Sequence, residues 1–222
     1  MIHEADGDAR WTLASDVPPA LDEPRGHVLT AVGTRVRAHA LGCAGARCVR
    51  AWTHDTGGTV AGVVTDGRSV YATTTAGAVI VLDAVTGEVR WTAQTPGPVA
   101  SAPAVAAGTV YVAGGDTLSV VPACDAPTCT PAWSSQVDGT LPVQPVVAGR
   151  LVFVSELTRY EPYPSPLDGA RGLVYDRDGC GAVTCSPLAT TPVQPGRPRE
   201  SLVVDGTYVL GGEVVQQGMR LP

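Results

Sequence analysis

At 222 residues and 22.7 kDa the chain can build one sizeable core or two small domains, and an apolar share of 44% against a charged share of 16% excludes intrinsic disorder. A formal net charge of -6, from 15 Lys+Arg against 21 Asp+Glu with no basic block, excludes a nucleic-acid-binding surface. No apolar run reaches the roughly 18 residues of a membrane helix, and 26 Gly with 19 Pro between Val- and Thr-rich runs predict many short strands and few helices.

In chain order, Met1 to Asp8 is acidic and has neither the basic nor the apolar region of an export signal. Such a start fits a piece of a longer secreted protein, or a chain whose beginning was cut or misassigned. Ala9-Arg10-Trp11-Thr12 reads as a closing strand, and its tryptophan is the first of a series. Trp11, Trp52, Trp91 and Trp133 are 41, 39 and 42 residues apart. The clearest unit has strand candidates at 62–67, 69–73 and 78–83, a Thr86-Gly87 turn, and a last strand at 89–92 carrying Trp91. The next repeats the plan at 104–108, 109–113 and 118–121, with Cys124 to Cys129 as the turn before Trp133. A modified unit comes after it at 145–149, 151–154 and 172–176. Four residues after Cys185 it has Ala189 where a tryptophan is expected, and it holds an insertion of about 15 residues, Leu157 to Arg171. A further start lies at 202–210. The unit boundaries expected are 1–17 (the end of a unit), 18–58, 59–98, 99–140, 141–197 and 198–222 (incomplete).

The six cysteines form three local pairs of one spacing: Cys43 with Cys48, Cys124 with Cys129, and Cys180 with Cys185. Strands leaving a short turn bring such positions opposite one another, at a separation suited to a disulfide. Free cysteines and metal ligation are the alternatives; zinc sites usually join two close pairs, whereas these recur in equivalent places of successive units. Disulfides imply an extracytoplasmic compartment. Cys48, Gly87 and Cys129 each stand four residues before a tryptophan, so a cysteine pair and a Thr-Gly turn are alternative closures of one hairpin.

Four strands per unit of about forty residues is the arithmetic of a propeller blade. The fold expected is all-β, a β-propeller of four-stranded antiparallel blades forming a single domain over 1–222. About five units are present, either as a closed five-bladed ring or as a fragment of a seven- or eight-bladed one. Trp11, Trp52, Trp91 and Trp133 would dock successive blades, and small residues such as Gly62, Ala102 and Ala104 would suit the crowded innermost strand.

Asp83-Ala84-Val85-Thr86-Gly87-Glu88-Val89-Arg90-Trp91 resembles the quinoprotein-type (pyrroloquinoline-quinone-like) propeller repeat: Asp, two residues, Thr-Gly, three residues, Trp. Pro103-Ala104-Val105 and Gly108-Thr109-Val110-Tyr111-Val112 are similar to that repeat's first two strands. The resemblance covers most of the chain at repeat level, with one nearly complete copy. It implies the fold shared by quinone-dependent alcohol dehydrogenases and by non-enzymatic propellers such as the lipoprotein that assists outer-membrane protein assembly. In the enzymes it implies adjacent cysteines against the quinone, a tryptophan platform, and a cation held by Glu, Asn and Asp. This chain has no adjacent cysteines and no Asn, so the resemblance points to the non-catalytic branch, with no cofactor.

Neither a Gly-x-Ser-x-Gly elbow nor a phosphate-binding Gly-Lys-Ser/Thr loop occurs. His3, His27, His39 and His54 form no close ligand pair and read as surface or turn residues. Asp83 reads as an Asx-type cap. The insertion is the candidate partner-binding loop, through Arg159, Tyr160, Glu161, Tyr163 and Arg171, because aromatic and Arg side chains suit protein contacts; a plain solvent-exposed excursion is the alternative, since surface loops tolerate insertions. The function expected is an extracellular or periplasmic scaffold in a bacterial cell envelope that binds a protein partner. The remainder of a longer parent chain is a further expected neighbour. A fragment of a quinone-dependent oxidoreductase is the alternative.

Overall fold

The computed structural model describes residues 2–3, 9–41, 48–159, 168–191, 194–195, 203–205, 208–210 and 219–220. Short Val- and Thr-rich segments punctuated by positive-φ glycines fold into consecutive antiparallel sheets. The first is Ala20–Asp22, His27–Val32, Arg35–Ala40 and Arg50–Asp55; the second is Val60–Thr65, Ser69–Thr74, Ala78–Asp83 and Val89–Gln94. The third is Ala104–Ala106, Thr109–Gly114, Thr117–Val121 and Trp133–Gln136. The fourth is Val146–Ala148, Leu151–Arg159, Asp168–Asp176 and Ala189–Thr190, with Gln194–Pro195 added beside its third strand. Each meanders in sequence order and stays open rather than closing into a barrel. A 3₁₀ turn, Glu23–Arg25, is the only helical element among the described residues.

Burial shows how the sheets are arranged. Every residue of Ser69–Thr74 is buried, so this central strand is covered on both faces, while Val89–Gln94 buries only Trp91 and Ala93 and forms the rim. The first strands of successive sheets approach one another in series, Ala20–Asp22 to Val60–Thr65, then to Ala104–Ala106, Val146–Ala148 and Val203–Asp205. Sheets lined up through their first strands surround an axis, and each is a propeller blade. Crowding there is severe: a Cβ on Gly62 would overlap the Ala102 backbone.

The core consists of seams between blades. Leu29, Ala31, Val36, Ala38 and Trp52 of the first blade meet Val63, Val70, Ala72, Ile80 and Leu82 of the second. Tyr71, Val79, Val81 and Trp91 meet Val110, Val112 and Val121, and beyond them Tyr111, Leu118, Val120 and Trp133 meet Val152, Val154, Leu173 and Tyr175. The tryptophan pairs with Ala38, Val81 or Val120 of its own third strand, and in the fourth blade Ala189 takes that register place opposite Val174.

The fourth blade departs from the loop expected at the insertion. Leu157 to Arg159 and Asp168 to Arg171 continue the ladder, giving two nine-residue strands paired from Leu151–Asp176 to Arg159–Asp168. Strand pairing takes up the backbone of both extensions, and in the sequence three prolines (Pro162, Pro164, Pro166) lie between the two strands. At the chain's ends, Ala9–Trp11 pairs with Ile2–His3, and Val203–Asp205, Tyr208–Leu210 and Met219–Arg220 form a separate sheet.

Candidate functional site

Two of the tryptophans, Trp52 and Trp133, are seated on a turn of the following blade. Trp52 Nε1 donates to Ala84 O at 3.1 Å, and its ring lies where a Cβ on Gly87 would come within 2.7 Å. Trp133 covers Gly179 in the same way, 2.7 Å from Cδ1, and stands 5.9 Å from the Tyr175 ring. Both glycines have positive φ, +74° and +83°, so the turn is at once tightly curved and flat enough for an indole. Trp91 shares its cluster with Cys129 and Cys124. Trp11 lies in Ala9–Trp11, with its side chain outside the described residues.

Cys124–Cys129 and Cys180–Cys185 are disulfides with Cα separations of 6.1 and 5.6 Å. Cys48 is disulfide-bonded; Cys43 lies outside the described residues. These closed turns also reach across the seam. Thr92 N donates to Pro127 O at 3.0 Å, and Thr128–Cys129 adds to Val89–Gln94 in parallel as a fifth strand of the second blade. Ser134 N donates to Val183 O at 2.9 Å, and Cys185 N to Ser134 O at 2.8 Å. The turn at Asp83 is held differently. Its carboxylate accepts from Val85 N and Thr86 N at 2.9 and 3.1 Å, and those bonds hold its pKa below the ordinary value.

The turns between second and third strands lie on the face that carries the blade-to-blade connections: Thr95 N donates to Gly77 O, and Leu141 N to Gly115 O. On that face the fourth blade projects its long hairpin. Thr140, in the connection from the third blade, exchanges backbone hydrogen bonds of 2.9 and 2.8 Å with Leu157. Beneath them Glu156, with no exposed side-chain surface, accepts from Gly139 N at 2.6 Å and is paired with Arg171 Nε; Arg171 also reaches Asp138 at 3.4 Å. The Glu156 carboxylate is the main cause that raises the Arg171 pKa. Ser135 Oγ donates to Tyr175 OH at 3.0 Å lower in the same seam.

Of the insertion residues, Arg171 is thus taken up in fastening the hairpin root. Arg159 ends the second strand, its side chain undescribed, and Tyr160, Glu161 and Tyr163 lie outside the described residues. Sequence reasoning passed over Glu156 and Asp138. The signal present was a lone carboxylate in the apolar run Leu151 to Leu157, which calls for a cation. Near the axis, a cavity of about 350 Å³ opens between the inner strands of the second to fourth blades, beside Thr65, Ala104, Gln144 and Val146. Its lining carries no charge, and Gln144 Nε2 donates to Pro103 O at 2.8 Å. Among the described residues no three His, Cys, Asp or Glu gather as metal ligands, and no helix is long and apolar enough to cross a membrane.

Four-stranded blades around an axis, with Trp52 and Trp133 seated on the next blade's turn, make this a β-propeller of the quinoprotein-like repeat class. The family model described as outer membrane protein assembly factor BamB matches residues 2–160, and the chain belongs to that family. Among solved structures it is similar to BamB from Moraxella catarrhalis, at 18% identity and TM-score 0.60, covering 90% of this chain and 55% of that one. It is also similar to the computationally designed Ika8 protein, at 14% and 0.58, covering 84% and 52%. Quinohemoprotein alcohol dehydrogenase ADHIIG from Pseudomonas putida HK5 matches at 17% and 0.59, covering 84% and 36%. The chain spans about half the length of the first two, and at these identities the likeness is one of fold. No curated protein sequence matches it.

Proposed function

We propose that the chain is a non-enzymatic, extracytoplasmic β-propeller that acts as a protein-binding scaffold, with the long hairpin of the fourth blade as its contact element. The observation that carries this reading is the fastening of that hairpin. Strands of nine residues, against six at most in the other blades, are pinned by an ion pair to the fully buried Glu156 and by two backbone hydrogen bonds to the neighbouring connection. A fastened root lowers the cost of ordering a contact element, and the sequence beyond it, with Arg159, Tyr160, Glu161 and Tyr163, has the Tyr and Arg composition of strong contacts. Arg171 serves as a positioning residue. The disulfides support an oxidising compartment, and membership of a family named for outer-membrane protein assembly supports the cell envelope. The remaining blades of a longer parent chain are proposed as a further neighbour, since this chain spans 55% of the BamB it matches.

The test replaces residues 160–167 by Asn-Gly, a tight hairpin turn, and places a photo-crosslinking residue at Tyr163 in the intact chain. Scaffold function predicts a discrete protein adduct in envelope fractions, and its disappearance in the shortened, still folded variant. Absence of any adduct overturns the hairpin assignment. Mixing the purified chain with quinone and calcium checks the oxidoreductase alternative; saturable binding with an altered quinone spectrum would replace the scaffold reading.

A further inference from the structure

Three blades present an apolar face to the blade before them. On the second that face carries the cross-strand pairs Val70–Leu82 and Ala72–Ile80, on the third Val110–Val121 and Val112–Ser119, and on the fourth Val152–Tyr175 and Val154–Leu173. The first blade breaks this series. Its residues Leu29, Ala31, Val36 and Ala38 face the second blade. Strand alternation therefore puts the pairs Val28–His39 and Thr30–Arg37 on the opposite face. Next to them in register stand Arg50, paired with His39, and Arg35, paired with Val32. Two basic groups, Arg37 and His39, occupy places that hold no charge in the other blades, where Ser119 and Tyr175 are the sole hydrogen-bonding side chains among these pairs.

The face is also short of partners. Thr30 Oγ1, Arg37 Nε and His39 Nδ1 are all buried without a hydrogen-bond partner, and Thr30 is only 1% exposed. Arg35 has Asp55 at 3.7 Å, but among the described residues no carboxylate pairs with Arg37 or Arg50. Burial lowers the pKa of His39, and the Arg37 and Arg50 charges lower it further, as expected where positive charge lacks a counter-ion. Buried polar groups in native proteins are almost always satisfied; the corresponding face of the third blade has the single orphan Ser119 Oγ, whereas three gathered with two arginines on the first blade point to a missing acceptor surface.

We propose that the face of the first blade turned away from the second is a docking seam for a polypeptide surface bearing carboxylates. Arg37 and Arg50 take the ion pairs, and Thr30 and His39 complete the hydrogen bonds. Charge complementarity selects this occupant, since an aliphatic blade face would leave two arginines without counter-charge. The seam is separate from the fourth-blade hairpin, and each is tested without the other.

The probe is a short peptide alternating Glu and Thr, so that one face of a strand presents carboxylates, compared with its Gln–Thr counterpart by NMR titration of the full chain. The expected result is salt-sensitive binding of the Glu peptide alone, with shifts centred on Thr30, Arg37 and His39 and a raised His39 pKa. Arg37→Gln with Arg50→Gln should weaken it by about tenfold or more; Arg50→Gln alone, at an exposed position, serves if the double variant does not fold. Equal binding of both peptides, no binding, or indifference to these substitutions overturns the proposal. So does tighter peptide binding when Glu4, Asp6 and Asp8 are changed to their amides, which makes the chain's own acidic segment the occupant. Self-association abolished by Arg50→Gln would overturn it in favour of a second copy.

Discussion

Replacing Arg171 by Met strands a carboxylate inside the fourth blade. Glu156 has no exposed side-chain surface; one oxygen accepts from Gly139 N at 2.6 Å and the other depends on the Arg171 guanidinium. Breaking a buried ion pair on one side costs about 3–5 kcal/mol. Arg171 is 27% exposed, so water can approach from its side, and about 2–4 kcal/mol is the expected loss. Met preserves most of the apolar stem of Arg, which keeps the packing term small. For a chain of this size each kcal/mol moves Tm by roughly 2–4 °C, so a drop of about 5–15 °C is expected in thermal unfolding followed by circular dichroism. The companion Glu156→Leu/Arg171→Met removes both charges and should recover most of the loss, because the desolvation of an unpaired carboxylate is then gone. An Arg171→Met variant within about 0.5 kcal/mol of the parent, or a double variant no better than the single one, would refute the account of the hairpin root.

Two further outcomes test the seams. Gly179→Ala combines a φ of +83° with a Cβ 2.7 Å from Trp133 Cδ1, whereas Gly181→Ala has a similar φ of +82° and open space. The first should lose about 2–3 kcal/mol in urea unfolding and the second about 1 kcal/mol; equal losses would show that the indole is not seated there. Cys180→Ser/Cys185→Ser should lower stability by about 2 kcal/mol, the loop-closure value for so short a ring. It should also speed amide exchange at Ser134, which donates to Val183 O, while Thr92, which donates to Pro127 O beside the other disulfide, stays protected. Unchanged exchange at Ser134 would separate the disulfide from the cross-seam bridge.

The period of the tryptophans made the blade architecture legible, because a four-stranded meander that must be covered on both faces repeats its wedge once per blade. What spacing could not show was where each wedge lands. Gly87 stands four residues before Trp91 in sequence, yet the indole it supports is Trp52, a contact between units that no local spacing encodes. The hairpin was hidden for another reason. Tyr, Pro and charged residues from Arg159 to Asp168 blur the alternation that marks a strand, so a ladder reaching Arg159–Asp168 looked like a loop. Glu156 was overlooked because its partner lies fifteen residues away on the opposing strand, close only once that register exists. The polar face of the first blade was present in the sequence as His39 and Arg37. It became informative only when the equivalent pairs of the other blades could be superposed in register.

Because the Trp52 and Trp133 indoles each rest on a turn that belongs to the following blade, injury to this molecule has a direction. Distorting a turn unsettles the sheet upstream of it and leaves the sheet that owns the turn comparatively sound, as in a row of tiles where each overlaps the next. Ala189 ends that overlap at the fourth sheet, where Phe153 and Val174 must hold the trailing side without an indole. Fraying should therefore begin at that trailing side and travel back toward the first blade.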